Sequence, residues 1–91
     1  MRNFPFTTQI FKEGEMYVAY CKELDVSSCG NSIDEARKNI KDALLGFLKS
    51  ANDRGVLEEI LEEAGYKLDN QQWRAPELLL LEKSFVSMQH A

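Results

Sequence analysis

A single long amphipathic helix is the feature that most constrains what this chain can fold into. Apolar residues recur at helical spacing from Ile33 to Ala51, so they form one stripe while polar residues occupy the opposite side. Ser32 and Glu35 have the spacing of a capping box, which predicts a helix that starts after Ser32 and runs to about Ser50. Such a helix has to pack its stripe against a second layer, which the rest of the chain must supply.

The residues before this helix predict an antiparallel sheet. Residues 4–11 and 16–21 are rich in aromatic and β-branched side chains, and a turn at Gly14 separates them, which indicates a β-hairpin. Residues 26–29 form a short third strand that ends at Gly30. Together these strands provide a surface on which the helix can pack.

The residues after the helix predict a second helix and a last strand. The second helix covers about residues 54–64, with Asn52 or Asp53 as its cap and Gly65 at its carboxyl end. Residues 78–88 are predicted to form the final strand. The predicted fold is therefore α+β, with the order β-β-β-α-α-β and with helices packed on one face of a mainly antiparallel sheet.

Length and composition place the chain among ordinary globular proteins. Its 91 residues, 44% hydrophobic and 29% charged, predict a single domain over residues 1–91. The sequence has no apolar run long enough for a membrane span and no secretory leader pattern, so we expect a cytoplasmic protein. Because 15 acidic residues outnumber 11 basic ones, the composition disfavours a protein that binds nucleic-acid phosphates.

The sequence contains no motif that is typical of an enzyme. It has no glycine-rich phosphate loop, no nucleophile elbow and no paired-histidine metal motif. Its only histidine, His90, is the penultimate residue, so no base is in place to activate Ser27, Ser28 or Ser32. Cys21 and Cys29 lack the spacing of a metal site and are expected to stay reduced. We therefore expect no catalytic activity, no cofactor and no metal site.

Two of the predicted strands are apolar or aromatic at every position. Residues 16–21 and 78–81 lack the alternation of a strand that has one face in water. Two helices cover one sheet face, and an uncovered apolar face would have the size that marks an interaction site. We expect that face to contact a second copy or another protein, with Tyr17, Tyr20 and Leu79 as candidate contact residues. The alternative is that the tyrosine hydroxyls face water and the leucines form a buried strand end.

The second predicted helix carries an acidic face. Its four glutamates are Glu58, Glu59, Glu62 and Glu63. The i,i+4 spacing places like charges next to each other, which mildly destabilises the helix. One interpretation is that this face attracts a basic partner. The other is that the glutamates form a solvated face that keeps the chain soluble.

Residues 14–47 and the turn before them carry several short motifs in a particular order. The motifs are Glu13-Gly14, Tyr17-Val18-Ala19, Cys21-Lys22-Glu23-Leu24, Gly30, and Ser32 with Glu35-Ala36. As a combination they resemble the HicB-type antitoxin family of toxin-antitoxin systems. The resemblance implies a HicB-like fold, which is described as partial ribonuclease H-like.

The resemblance also implies a partner and a function. It implies an antitoxin that neutralises a small, basic, mRNA-cleaving HicA-type toxin by covering its RNA-binding face through steric occlusion and complementary charge. Many relatives carry a DNA-binding segment at the carboxyl end, but three residues follow Met88 here, so we expect no direct DNA binding. The burial argument adds a homodimer or higher homo-oligomer. One alternative is an orphan homo-oligomeric domain of this fold with a structural or regulatory role, and another is an RNA-binding module, which the charge disfavours.

Overall fold

The structure, a computed structural model, describes residues 3–89 and has an α+β architecture. A three-stranded antiparallel sheet in the order β1-β2-β3 precedes two helices, and a two-stranded hairpin follows them. The elements are β1 (Thr8–Glu13), β2 (Met16–Cys21), β3 (Val26–Gly30), α1 (Ile33–Asp53), α2 (Leu57–Glu63), β4 (Lys67–Asp69) and β5 (Gln72–Arg74). The predicted α+β class, with an antiparallel sheet and two helices, is therefore confirmed, but the predicted order of elements is wrong after α2.

The predicted hairpin is present, and its second strand has the predicted bounds. Glu13 pairs with Met16 across a two-residue turn, in which Gly14 has a φ of 62°. A positive φ at the first central position is typical of a type II′ turn, which matches the twist of antiparallel strands. Strand β1 occupies residues 8–13 rather than 4–11, because the turn extends the pairing to Glu13 and the Thr7 amide bonds to the Glu23 carboxylate.

Helix α1 begins at the predicted cap and ends later than predicted. The Ser32 hydroxyl accepts a hydrogen bond from the Glu35 amide at 3.0 Å. The Glu35 carboxylate accepts from the Asn31 amide at 3.0 Å, one residue earlier than a capping box requires. The prediction that Asn52 or Asp53 caps α2 is wrong, because both residues belong to the last turn of α1.

Two glycine caps close the two helices. Gly55 has a φ of 72°, and its amide and the Val56 amide bond to the Asn52 and Ala51 carbonyls. Gly65 repeats this arrangement at the end of α2, with a φ of 93°. Both are Schellman motifs, which require a left-handed residue where only glycine is free of strain. The predicted role of Gly65 is confirmed.

The core lies between α1 and one face of the sheet. Ala19 and Cys21 of β2 are fully buried against Ala36, Ile40 and Leu44 of α1. The small side chains on both sides let the helix approach the sheet closely. Helix α2 packs mainly against α1, and its Leu61 is buried, so the helix that covers the sheet is mainly α1.

The predicted strand over residues 78–88 is wrong. Residues 75–89, which we call the tail, are extended but pair with no strand within residues 3–89. The chain instead forms the β4–β5 hairpin, whose Asn70 and Gln71 turn carries two positive φ angles and whose Arg74 and Asp69 side chains are 2.9 Å apart. An apolar run without periodicity indicates that the segment is buried, but it does not identify the surface that buries it. Because the tail does not pair with the rest of residues 3–89, the molecule is elongated, with principal extents of 52 × 29 × 21 Å.

Candidate functional site

The two tyrosines predicted as contact residues lie on opposite faces of the sheet. Because Ala19 and Cys21 point into the core, alternation along β2 sends Tyr17 to the α1 side and Tyr20 to the other side. The Tyr17 ring packs against the core and has the Lys12 ammonium 5.7 Å from its centroid. The two side chains therefore cannot belong to one continuous contact surface on the sheet.

The sheet face turned away from α1, which we call the outer face, is partly apolar. It carries Phe11, Met16, Val18, Tyr20 and Cys29, which the strand register places on the same side. Phe11 is 56% exposed in the centre of β1, and Cys29 is exposed beside Val18. The outer face is therefore partly apolar, as residues 16–21 predict. Residues 78–81, the other predicted apolar strand, are not part of it.

Tyr20 is held at the edge of the outer face by a polar contact. Its hydroxyl donates a hydrogen bond to the Asp25 carboxylate at 3.0 Å, and Asp25 adopts a positive φ of 55° in the β2–β3 turn. The bond to the Asp25 carboxylate raises the pKa of Tyr20, because ionisation would break it and place two negative charges together. The hydroxyl thus anchors the turn, and Tyr20 is half-buried on the outer face.

The acidic face of α2 is the second candidate surface. All four of its glutamates, Glu58, Glu59, Glu62 and Glu63, are exposed, and within residues 3–89 none of them forms an ion pair. Leu61 points inward between them and is 1% exposed, so the helix is fixed to the body by its apolar side. The structure therefore brings the four predicted acidic residues together on one surface.

The tail is the third candidate surface, and it contains the remaining predicted contact residue. Leu79 is 84% exposed. Its apolar neighbours are also exposed, and they are Leu78, Leu80, Leu81, Phe85, Val86 and Met88. Leu79 is far along the chain from both tyrosines and from the acidic face, and it lies on the tail rather than in the sheet. The predicted contact residues thus fall on several surfaces.

Sequence reasoning missed the role of Glu23. Its carboxylate accepts hydrogen bonds from the Thr7 amide at 3.0 and 3.1 Å and from the Cys21 thiol at 3.5 Å. Burial alone would raise the pKa of Glu23, but the hydrogen bonds from Thr7 outweigh it and the net pKa is lowered. Burial, with help from the neighbouring Glu23, raises the pKa of the Cys21 thiol. The signal in the sequence was the Cys21-Lys22-Glu23-Leu24 motif, which places a glutamate two residues after a cysteine.

Sequence reasoning also missed Tyr66, which joins the segment before β1 to the end of α2. Its hydroxyl donates to the Pro5 carbonyl at 2.7 Å, and its ring stacks on Phe4 with the centroids 4.6 Å apart. Tyr66 is 2% exposed, and burial raises its pKa. The signal was its place directly after Gly65, where a Schellman motif favours an apolar residue.

The described residues show none of the arrangements that would hold a metal. Between residues 3 and 89, no three His, Cys, Asp or Glu side chains are grouped to bind an ion. His90, which was set aside as a base, lies outside the described residues. Neither α1 nor α2 combines the length and the apolar character that a helix needs to cross a lipid bilayer.

Comparison with known proteins identifies no relative of this chain. No family model, no curated protein and no solved structure matches it.

Proposed function

We propose that this chain is an antitoxin-like protein of the HicB type. It binds a small, basic, mRNA-cleaving HicA-type toxin and covers the RNA-binding face of that toxin. It acts by binding alone, without a catalytic step, a cofactor or direct DNA binding, in the cytoplasm. Two features support the proposal, namely the motif combination over residues 14–47 and the acidic face of α2.

The acidic face is the observation that carries the proposal. Glu62 and Glu63 stand in the last turn of a helix that has no basic residue there. Negative charge at that end opposes the helix dipole, and like charges at i,i+4 spacing repel, so these residues lower the stability of α2. Contact with a positively charged protein surface would offset both penalties. An RNA-binding face is such a surface, because it has to attract phosphates.

The segment that resembles the HicB-type family forms a continuous structural unit. Residues 14–47 contain the β1–β2 turn, β2, β3 and most of α1, and they include the buried residues Ala19, Cys21 and Ala36. Each motif of the resemblance therefore has a local role in the turn, the strand pair or the helix cap. The arrangement supports the HicB-like assignment, which remains a proposal.

The proposal predicts that the neighbouring open reading frame encodes a small basic protein, and the test is to purify that product and mix it with the full chain. We expect a complex that inhibits RNA cleavage and that weakens as salt increases, because opposite charges attract. Glu62→Gln combined with Glu63→Gln should weaken binding by about tenfold at low salt. Titration calorimetry at two salt concentrations measures the salt dependence of the affinity and the effect of the double variant, and a cleavage assay measures the inhibition.

The control removes the same charge from another surface. Glu13 and Glu15 are exposed beside the β1–β2 turn, so Glu13→Gln with Glu15→Gln should leave the affinity within about twofold. If the mixture contains no complex at micromolar concentrations, or if both double variants bind equally well, the antitoxin proposal is wrong.

The second candidate is an orphan homo-oligomeric domain of the same fold with a structural or regulatory role. The exposed apolar tail favours it, because burial between copies would remove that surface from water. A homo-oligomer that ignores the neighbouring basic protein would support this candidate over the antitoxin.

A further inference from the structure

The tail is extended and apolar, and its backbone has no partner. Seven of its large apolar side chains are between 60% and 91% exposed. Within residues 3–89, no backbone hydrogen bond joins residues 75–89 to the body. Ordering a chain costs about 1–2 kcal/mol per residue, and neither burial nor hydrogen bonds offset that cost here. An extended tail of this composition therefore needs another surface.

The sheet offers a free edge that is suited to an extended segment. In the order β1-β2-β3, β1 pairs on one side only. The two-residue turn makes Glu13 and Met16 a hydrogen-bonded pair, and bonding alternates along an antiparallel ladder. Thr8, Ile10 and Lys12 therefore point their backbone N–H and C=O groups away from β2. An unpaired edge of this kind readily accepts a further strand.

The tail leaves the body beside this edge. A groove of about 360 Å³ is lined by Thr7 and Gln9, at the start of β1, together with Leu78 and Leu81 of the tail. The tail then continues away from the body, so that the radius of gyration is 16.0 Å. A compact chain of this length would have about 12 Å. A strand that starts next to a free edge but does not pair with it is suited to exchange between two copies.

We propose that two copies of this chain form a symmetric dimer in which the tail of each copy adds as a strand to β1 of the other. The exchange pairs the backbone groups at the outer edge of β1 and covers the apolar side chains of the tail. It is independent of the toxin and of the acidic face.

The composition of the tail favours a second copy over a charged partner. Residues 75–89 hold two acids, Glu77 and Glu82, and one base, Lys83, so charge selects no partner of either sign. A stable interface buries on the order of 800 Å² on each partner, which seven exposed apolar side chains can supply. Interfaces between permanently associated identical subunits are also more apolar than transient ones.

The first measurement is the mass of the full chain in solution. Sedimentation equilibrium between about 1 and 100 μM should give twice the chain mass of 10.4 kDa. Leu79→Asp combined with Phe85→Asp should weaken the dimer by about a hundredfold, because it places charges in an apolar interface. Both positions are exposed in a single copy, so the fold of the monomer should not change. Gln89→Asp adds a charge beyond the apolar residues and should leave a dimer.

The second measurement locates the contact by amide hydrogen exchange. In the dimer, the Thr8, Ile10 and Lys12 amides should be protected, and in the double variant they should exchange at least about tenfold faster. The Gln9 and Phe11 amides face β2 and should keep their protection in both proteins. This alternation is specific to strand addition and would not follow from side-chain packing on the outer face.

Three results would overturn the proposal. The first is a chain that stays at 10.4 kDa up to about 100 μM. The second is a dimer that the double variant does not weaken, and the third is equal exchange of the outer-edge amides in both proteins. A chain that is monomeric alone but forms a one-to-one complex with the basic toxin would overturn the dimer and leave the antitoxin function intact.

Discussion

At the scale of single residues, Glu23 joins the start of β1 to the β2–β3 turn. Its carboxylate accepts from the Thr7 amide with both oxygens and from the Cys21 thiol. The carboxylate is the favoured form in the folded protein, because hydrogen bonds from Thr7 lower its pKa in spite of partial burial. Because Thr7 precedes β1 and has no strand partner within residues 3–89, its amide bonds to the Glu23 carboxylate instead of to a backbone carbonyl.

The lowered pKa of Glu23 makes the stability depend on pH. A carboxyl group whose pKa is lowered by folding stabilises the folded protein at pH values above its ordinary pKa, which is near 4.5 for glutamate. That stabilisation is lost as the pH falls through the pKa of the folded protein. We expect Glu23→Gln to lower the free energy of unfolding by about 1 kcal/mol at pH 7, since a neutral amide is a weaker acceptor. The difference from the natural chain should shrink as pH falls towards 3, which urea denaturation at several pH values measures.

The control for this prediction is Glu15→Gln in the exposed β1–β2 turn. Its free energy of unfolding should differ little from that of the natural chain at every pH. A Glu23→Gln variant whose deficit stays constant down to pH 3 would contradict the linkage to this carboxylate.

At the scale of elements, the close approach of β3 to α1 depends on Gly30. A Cβ atom there would lie 2.7 Å from the Ala36 nitrogen and 2.9 Å from two Glu35 atoms. These neighbours belong to the first turn of α1, so they cannot move without displacing the Ser32 cap. Gly30 is thus a position at which the sheet and the helix leave no room for a side chain.

Two alanine substitutions separate this fit from the general effect of removing glycine. Gly30→Ala should lower the free energy of unfolding by about 1–3 kcal/mol, because the helix must shift to admit a methyl group. Gly46→Ala places the same methyl group in open space inside α1 and should raise stability by about 0.5–1 kcal/mol. Urea denaturation of both variants gives the comparison, and a Gly30→Ala protein as stable as the natural chain would contradict it.

Elements with strong local signals could be predicted from the sequence, and the tail could not. The cap at Ser32, the turn at Gly14 and the helix stop at Gly65 each depend on a few neighbouring residues, and the structure confirms all three. The leucines at 78–81 indicate burial, but the choice between a sheet, a helix and another chain depends on distant residues. The same reason applies to Tyr17 and Tyr20, because a sequence without strand periodicity does not assign residues of β2 to one face or the other.

At the scale of the whole molecule, Tyr66 connects two distant parts of the chain. It lies just after α2, and it contacts the segment that precedes β1. Its hydroxyl bonds to the Pro5 carbonyl, 61 residues away, and its ring stacks on Phe4. Contacts of such long separation are invisible to local patterns, so the sequence did not reveal this one. It fixes the amino-terminal segment against the helical side of the body.

Removal of the Tyr66 hydroxyl should weaken this connection. Tyr66→Phe leaves a carbonyl at Pro5 without its donor and should lower the free energy of unfolding by about 1–2 kcal/mol. Tyr17→Phe is the matched control, because the Tyr17 hydroxyl makes no such bond within residues 3–89, and its effect should stay within about 0.5 kcal/mol. Equal stabilities of the two variants in thermal denaturation would show that the hydroxyl is not needed.

The three-residue connection between α1 and α2 has a consequence for recognition. It consists of Arg54, Gly55 and Val56, and backbone hydrogen bonds hold it, while Gly65 closes the far end of α2 in the same way. Short, fully bonded corners leave little freedom for a helix to swing. The backbone that carries the glutamates is therefore preorganised, and a molecule that docks on them meets a helix whose orientation is already set, so that only the side-chain rotamers have to be ordered.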